Sequence, residues 1–142
     1  MFRRAAVLSS LLFGACAGDA AAPLSVVVGR FGGRGSELVA SADRVHAQFV
    51  CGGADFEQPI LPESDGRFAL APVLVPSRNG MVALAIKGVI SANQIAFDAV
   101  ALSASGDVTT TRYVVELDRP ADYTGMACLA DGAAAQGRAK SE

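Results

Sequence analysis

The chain has 142 residues, a formal net charge of −2 and a composition that is 51% hydrophobic, with 15 glycines, 6 prolines and no tryptophan. An acidic balance without a run of Lys and Arg argues against nucleic acid and anionic membrane surfaces as partners. Glycine and proline recurring every few residues exclude long amphipathic helices and suit many short strands joined by turns.

At the start, Arg3 and Arg4 precede a short apolar run from Ala5 to Phe13, and Gly14, Ala15 and Ala17 come next. A charged region, an apolar region too short to span a bilayer and a small-residue cleavage site make residues 1–17 an export signal. Its processing is open between two readings. Cleavage before Cys16 would leave that cysteine lipidated, with Leu12, Phe13, Gly14 and Ala15 serving as the lipobox; Leu12 then stands one place early. Ordinary cleavage after Ala17 would use Ala15 and Ala17 as the small pair. Either way Arg3 and Arg4 leave, so Lys+Arg falls from 12 to 10 against 14 acids and the mature charge is about −4. Residues 18–23 read as a tether, residues 24–130 as one β domain, and residues 131–142, small and polar, as a disordered tail.

Within the domain, period-two alternation predicts strands. Leu24–Phe31 and Glu37–Ala42 come first. Then Val45, Ala47, Phe49 and Cys51 alternate with Arg44, His46 and Gln48, placing the first set toward the core. Phe68–Val75 is apolar on both faces. Val82, Leu84, Ile86 and Ile90 line one face of the next strand, and Ile95, Phe97, Ala99 and Ala101 that of another. Tyr113, Val115 and Leu117 alternate with Arg112, Glu116 and Asp118, and Tyr123–Leu129 closes the domain. Turn residues fall between the strands at Asp65-Gly66, Asn79-Gly80 and Gly106-Asp107.

Export puts the chain where disulfides persist, and with Cys16 spent at the processing site, Cys51 and Cys128 form the remaining pair. A bridge between them is expected, with free thiols as the alternative. Roughly eight strands joined by tight turns predict an antiparallel meander closing into a lipocalin- or avidin-like barrel. In that reading Phe31, within Gly29-Arg30-Phe31-Gly32-Gly33-Arg34-Gly35, takes the place of the tryptophan that plugs one barrel end. The alternative is an immunoglobulin-like sandwich, which here would lack its core tryptophan and would carry Met126 where the tyrosine corner belongs.

The same residues carry a wider resemblance. The chain resembles an uncharacterised family of small exported bacterial proteins, often lipoproteins, that open with G-x-W-G-G-x-H, here Gly29 to Gly35. These proteins then show an acidic or amide residue, Phe, any residue and Cys-Ala-His-Gly, here Gln48-Phe49-Val50-Cys51-Gly52-Gly53-Ala54. A Pro-Ile pair and a G-x-F come after it, here Pro59-Ile60 and Gly66-Arg67-Phe68, and Cys-Leu ends the last strand, here Cys128-Leu129. The tryptophan of that pattern is Phe31 in this chain, and its two histidines are Gly35 and Gly53. The resemblance implies architecture and export, and any chemistry resting on those histidines would be lost here.

No catalytic, cofactor-binding or metal-binding set stands out. His46 is the single histidine and falls on the polar phase of its strand, without a paired thiol or hydroxyl motif. The glycines from Gly29 to Gly35 lack the Lys-Ser/Thr of a phosphate loop and read as a turn. Asp55, Glu57, Glu63 and Asp65 cluster without the alternation of a calcium loop and read as solvated acids. A cleft gathering Asp98, Tyr113 and Glu116 would favour an enzyme, but nothing in the spacing requires one. The expectation is therefore a non-enzymatic binding or structural module of the periplasm or cell envelope, without a cofactor. Its partner would be a protein or a small apolar ligand, with the membrane reached only through a lipid on Cys16. The alternative is a protease inhibitor inserting a free segment from Gly18 to Leu24 into a protease cleft.

Overall fold

A computed structural model of the protein describes residues 25–128 and 134–136. Ten strands succeed one another without a helix among the described residues: β1 (Gly29–Gly33), β2 (Ser36–Ala40), β3 (Val45–Phe49), β4 (Gly52–Phe56), β5 (Arg67–Ser77), β6 (Gly80–Ser91), β7 (Gln94–Ser103), β8 (Val108–Leu117), β9 (Met126–Cys128) and β10 (Ala134–Gln136). The first eight form a single antiparallel sheet in the order β4-β3-β2-β1-β8-β7-β6-β5, and β9 and β10 pair as a separate ribbon. Because β1 hydrogen-bonds to both β2 and β8, the sheet curls into a nearly closed up-and-down barrel. The one seam lies between β4 and β5, which are consecutive in the chain. The connection 57–66 folds back at that end, where Ile60 is fully buried and its carbonyl accepts the Val27 N–H at 3.0 Å. With β1 to β8 all in one curled sheet, the chain is not a two-sheet sandwich.

Side chains fill the interior. Leu38, Val45, Ala47, Phe56, Phe68, Ile86, Ile95 and Val115 are buried in one cluster. Near the other end Phe97 stacks on Tyr113 at 5.4 Å, with Phe49 at 5.2 Å from Tyr113. Phe31 is only 4% exposed, as its position in the opening motif predicts. Among the described residues Ser36 is the one buried polar residue, and its Oγ has no hydrogen-bond partner among them.

Several elements differ from the sequence expectation. Gly52–Phe56 is a strand that alternation does not reveal, because two glycines open it and only Ala54 and Phe56 face inward. The glycine stretch is itself a strand, β1, rather than the turn after one, and the hairpin turn is Arg34-Gly35, with Gly35 at φ +77°. Cys51 does not face the core; it sits exposed in the two-residue turn between β3 and β4, since the ladder ends at the Phe49–Gly52 pair. Of the last strand expected over Tyr123–Leu129, Met126–Cys128 is a strand among the described residues, and it pairs with Ala134–Gln136 of the expected disordered tail rather than with the barrel sheet. The rest of that tail, with residues 1–17, the tether 18–23 and Leu24, lies outside the described residues.

Beyond β8 the chain forms a strap across the barrel. Asp118, at φ +58°, reverses the chain, and its N–H donates to the Arg30 carbonyl at 2.8 Å. The backbone of Arg119 to Ala121 then passes directly over Gly32, where a Cβ would collide with the Arg119 carbonyl oxygen and the next peptide. Asp122 bonds to Gly33 and Gly35 through its backbone at 3.0 and 2.8 Å. Its carboxyl is held below the usual range by the Thr124 N–H, with Arg34 at 3.5 Å adding to the effect. Met126 packs on Gly35, and Cys128 is disulfide-bonded to Cys51, their Cα atoms 5.0 Å apart. The two sites of missing side chain, Gly32 and Gly35, thus make room for the strap.

Candidate functional site

The residues singled out as possible chemistry are not brought together. His46 lies outward, as its phase predicts, but it has a partner: its Nδ1 is 2.7 Å from Oδ1 of Asp55, its cross-strand neighbour on β4. Strand β4, which alternation does not reveal, is the reason Asp55 takes that place. The two side chains are 45% and 76% exposed, so water competes for both ends of the pair. Exposed pairs contribute about 0–1 kcal/mol. His46→Gln is therefore expected to lower stability by no more than about 1 kcal/mol, read as a small shift in thermal midpoint. A large drop would show that the dyad braces the β3–β4 hairpin.

The acids of the expected loop cluster also separate. Asp55 faces His46, while Asp65 accepts the Arg67 N–H at 3.1 Å and pairs with its guanidinium at 3.3 Å. Among the described residues no group of three or more His, Cys, Asp or Glu side chains could hold a metal ion. Asp98, Tyr113 and Glu116 point to different places. Tyr113 turns inward onto the aromatic cluster, and burial raises its hydroxyl pKa. Asp98 faces outward 3.7 Å from Arg112, and Glu116 is held by Arg119 at 3.1 Å.

What the fold does assemble is a surface. Strands β5 to β8 have 11, 12, 10 and 10 residues, against 5 in each of β1 to β4. The β1 ladder on β8 ends at Val115, so β8 from Val108 to Val114 extends past its neighbour. The long strands form a wall that overhangs the short half of the barrel. On the inner face of the overhang Val73, Val75 and Ala101 are only partly buried. On the outer face, one rung across all four strands runs Leu74, Ala83, Leu102, Val108. Leu74 is 70% exposed, Leu102 45% and Val108 64%. Four residues further along, the rung Lys87, Asp98, Arg112 crosses three strands, with Arg67 and Val89 beside it. These cations line a groove of about 240 Å³ together with Gly88 and Ala96.

Of the eleven large apolar side chains that are exposed among the described residues, six stand on the outward phase of this wall. Exposed apolar side chains set side by side on one rung, as Leu74, Leu102 and Val108 are, mark a surface of the kind that partners cover. The free edge of the wall is β5, and it is blunted by Pro72 and Pro76 and by a bulge between Leu70 and Val73. Proline and bulges on edge strands discourage further strand pairing. The face, not the edge, is the part left available. A second depression, of about 310 Å³, lies where Gln48, Phe49 and Val50 meet Tyr123 and Met126 of the strap. It is shallow and carries no titratable group except the Tyr123 hydroxyl, whose pKa burial raises.

No protein family, curated protein or solved structure matched the chain. The class that fold and surface define is a small disulfide-bonded β-barrel with an amphipathic outer wall.

Proposed function

We propose that the protein is an exported, non-enzymatic module of the periplasm or cell envelope that binds through the outside of its barrel. The observation carrying this reading is the outer wall of β5–β8, an exposed apolar rung beside a cationic one, on a barrel whose interior is filled with side chains. Pre-formed small-molecule sites are concave and enclosing, and the grooves on this barrel are open surface features. The Cys51–Cys128 bridge is compatible with an oxidising compartment. The resemblance to small exported lipoproteins supports the same location, with Cys16 as the lipid attachment point.

The test is cell fractionation with intact mass measured before and after reduction. The expected species is extracytoplasmic, lacks the residues before Cys16, carries a lipid mass and gains two hydrogens on reduction. A full-length cytoplasmic chain that gains no mass on reduction would overturn the reading.

A further inference from the structure

The β5 edge of the wall is closed to further pairing, but the wall has a second edge on β8. Beyond Val115 no strand among the described residues lies beside β8 on the β1 side, because β1 leaves the ladder at Gly33 and turns through Arg34 and Gly35 into β2. Residues 108–114 are open there, and all but Tyr113 are exposed. The Leu117 N–H donates to the Asn93 carbonyl on the β7 side, and backbone groups alternate sides along an antiparallel strand. Val108, Thr110, Arg112 and Val114 therefore turn their N–H and C=O groups toward the open side. Proline, a bulge or lysines usually guard such an edge. Strand β5 has the first two. Residues 108–114 have none of them, and their valines, threonines and tyrosine favour strands.

We propose that this edge pairs with the same edge of a second copy of the chain, antiparallel across a two-fold axis at Thr111, so that two walls become one continuous sheet. A two-fold contact uses one patch twice, so the patch must complement itself. This one does. With the axis at Thr111, Thr110 stands opposite the partner's Arg112 and Val108 opposite the partner's Val114, and by the same alternation both are hydrogen-bonded pairs. On the outward face these two valines, 64% and 46% exposed in the single chain, cover one another. The inward face sets Thr109 against the partner's Tyr113 and Thr111 against itself, and aromatic–β-branched and Thr–Thr pairs stabilise sheets. No charge directly faces its like: the two Arg112 side chains lie on a diagonal, and each keeps Asp98 at 3.7 Å. An axis at Arg112 would set the two guanidiniums opposite each other. The lengths match as well. Strand β8 begins at Val108, and the position it meets, Val114, is the last before β1 takes over at Val115. The apolar rung that ends at Val108 then continues through the partner's Val114. An extended segment of a different protein would use the same backbone groups, but it gives no reason for the stretch to be its own complement.

This pairing needs neither export nor a membrane, so it is measured on the purified protein. The full chain carrying Cys16→Ser, which cannot be lipidated, is followed by sedimentation equilibrium from about 1 μM to 1 mM, the span in which small interfaces associate. A monomer–dimer equilibrium is expected. In that background Thr110→Glu faces the partner's Arg112 twice by symmetry and should tighten the dimer about fivefold, while Thr110→Lys sets like charges there and should loosen it about as much. Thr110→Pro removes an N–H that the β7 ladder does not use and should abolish the dimer with the fold intact. Thermal midpoints at low concentration establish that the variants fold. Thr111→Cys meets itself at the axis, at the close spacing of a non-hydrogen-bonded pair, and should give a disulfide-linked dimer on mild oxidation, whereas Val108→Cys should not.

A monomer at every concentration overturns the proposal. So does a dimer to which the Thr110 variants are indifferent, since its contact would then lie on the face of the wall or in the apolar run from Ala5 to Phe13. Crosslinking through Val108→Cys in place of Thr111→Cys overturns it too, because the strands would then pair in another register. None of these outcomes bears on where the cell places the chain, which fractionation reads separately.

Discussion

Replacing Cys51 and Cys128 together by serine is expected to cost roughly 4 kcal/mol of stability and to lower the thermal midpoint by about 15 °C or more. The bridge spans 77 residues, from the β3–β4 turn to β9, so the loop it closes in the unfolded chain contains most of the barrel. Closing a loop of that length removes more unfolded-state entropy than a short one does. A second consequence is local. The strap from Asp118 to Met126 is tied to the barrel by backbone bonds at Arg30, Gly33 and Gly35, and at its far end by the bridge. Without the bridge, the Gly35 N–H bonded to the Asp122 carbonyl at 2.8 Å should exchange with solvent much faster than the Gly33–Ser36 ladder beside it. Calorimetry of the oxidised and reduced protein measures the global effect, and amide exchange the local one. A midpoint unchanged by reduction would mean that hydrogen bonds alone hold the strap.

The longest strands are the most legible in the sequence. Val82 to Ile90, Ile95 to Ala101 and Tyr113 to Leu117 alternate over enough residues for the period to emerge, and each falls within a strand of the expected phase. The β3–β4 hairpin shows how the same rule fails. Cys51 continues the phase of Phe49 on paper, but the chain has already left the ladder for a turn, and the cysteine lands outside. Gly52 and Gly53 then hide β4, because glycine has no side chain to show a phase and disfavours strands in general. With β4 hidden, the partner of His46 is hidden too. The strap is unreadable for a different reason: its place depends on Gly32 and Gly35 lacking side chains beneath it, a property of two distant segments that one segment's pattern cannot show.

The wall is hidden by averaging. Arg67, Lys87 and Arg112 are separated by twenty or more positions in the sequence, so no basic run exists, and the net charge is that of an acidic protein. Register alone gathers them, through Arg67–Val89, Lys87–Asp98 and Asp98–Arg112. One signal does point to it. The outward phase of β6, Met81, Ala83, Ala85 and Val89, is apolar apart from Lys87, and that of β7 includes Ala96, Val100 and Leu102. A barrel strand facing water on its outer side should alternate apolar with polar, whereas these are apolar on both sides. Strands of that kind have a second face to cover.

Phe31→Ala should be the most damaging single truncation in the short half of the barrel, costing about 3–5 kcal/mol. Phe31 is 4% exposed and lies between Leu38 on β2 and Leu117 on β8. Its inward-phase neighbours on β1 are Gly29 and Gly33, so the ring is the whole contribution of that strand to the interior. Neither glycine can be enlarged to fill the space left behind: a Cβ at Gly33 would collide with the Val114 carbonyl oxygen, and Gly29 has φ +153° with Leu117 Cδ1 at 2.7 Å from such a Cβ. Partial collapse is what lowers the cost of large-to-small changes elsewhere, and a strand pinned on both sides and strapped across Gly32 has little freedom to collapse. Val39→Ala, one residue beyond Leu38 on the outward phase and 38% exposed, serves as the control and should stay within about 0.5 kcal/mol. Urea titrations of the two variants measure the difference at an unchanged m-value. Equal midpoints for the two would mean that the interior at β1 relaxes to fill the gap, and that the aromatic at this place in the motif does not hold the barrel end together.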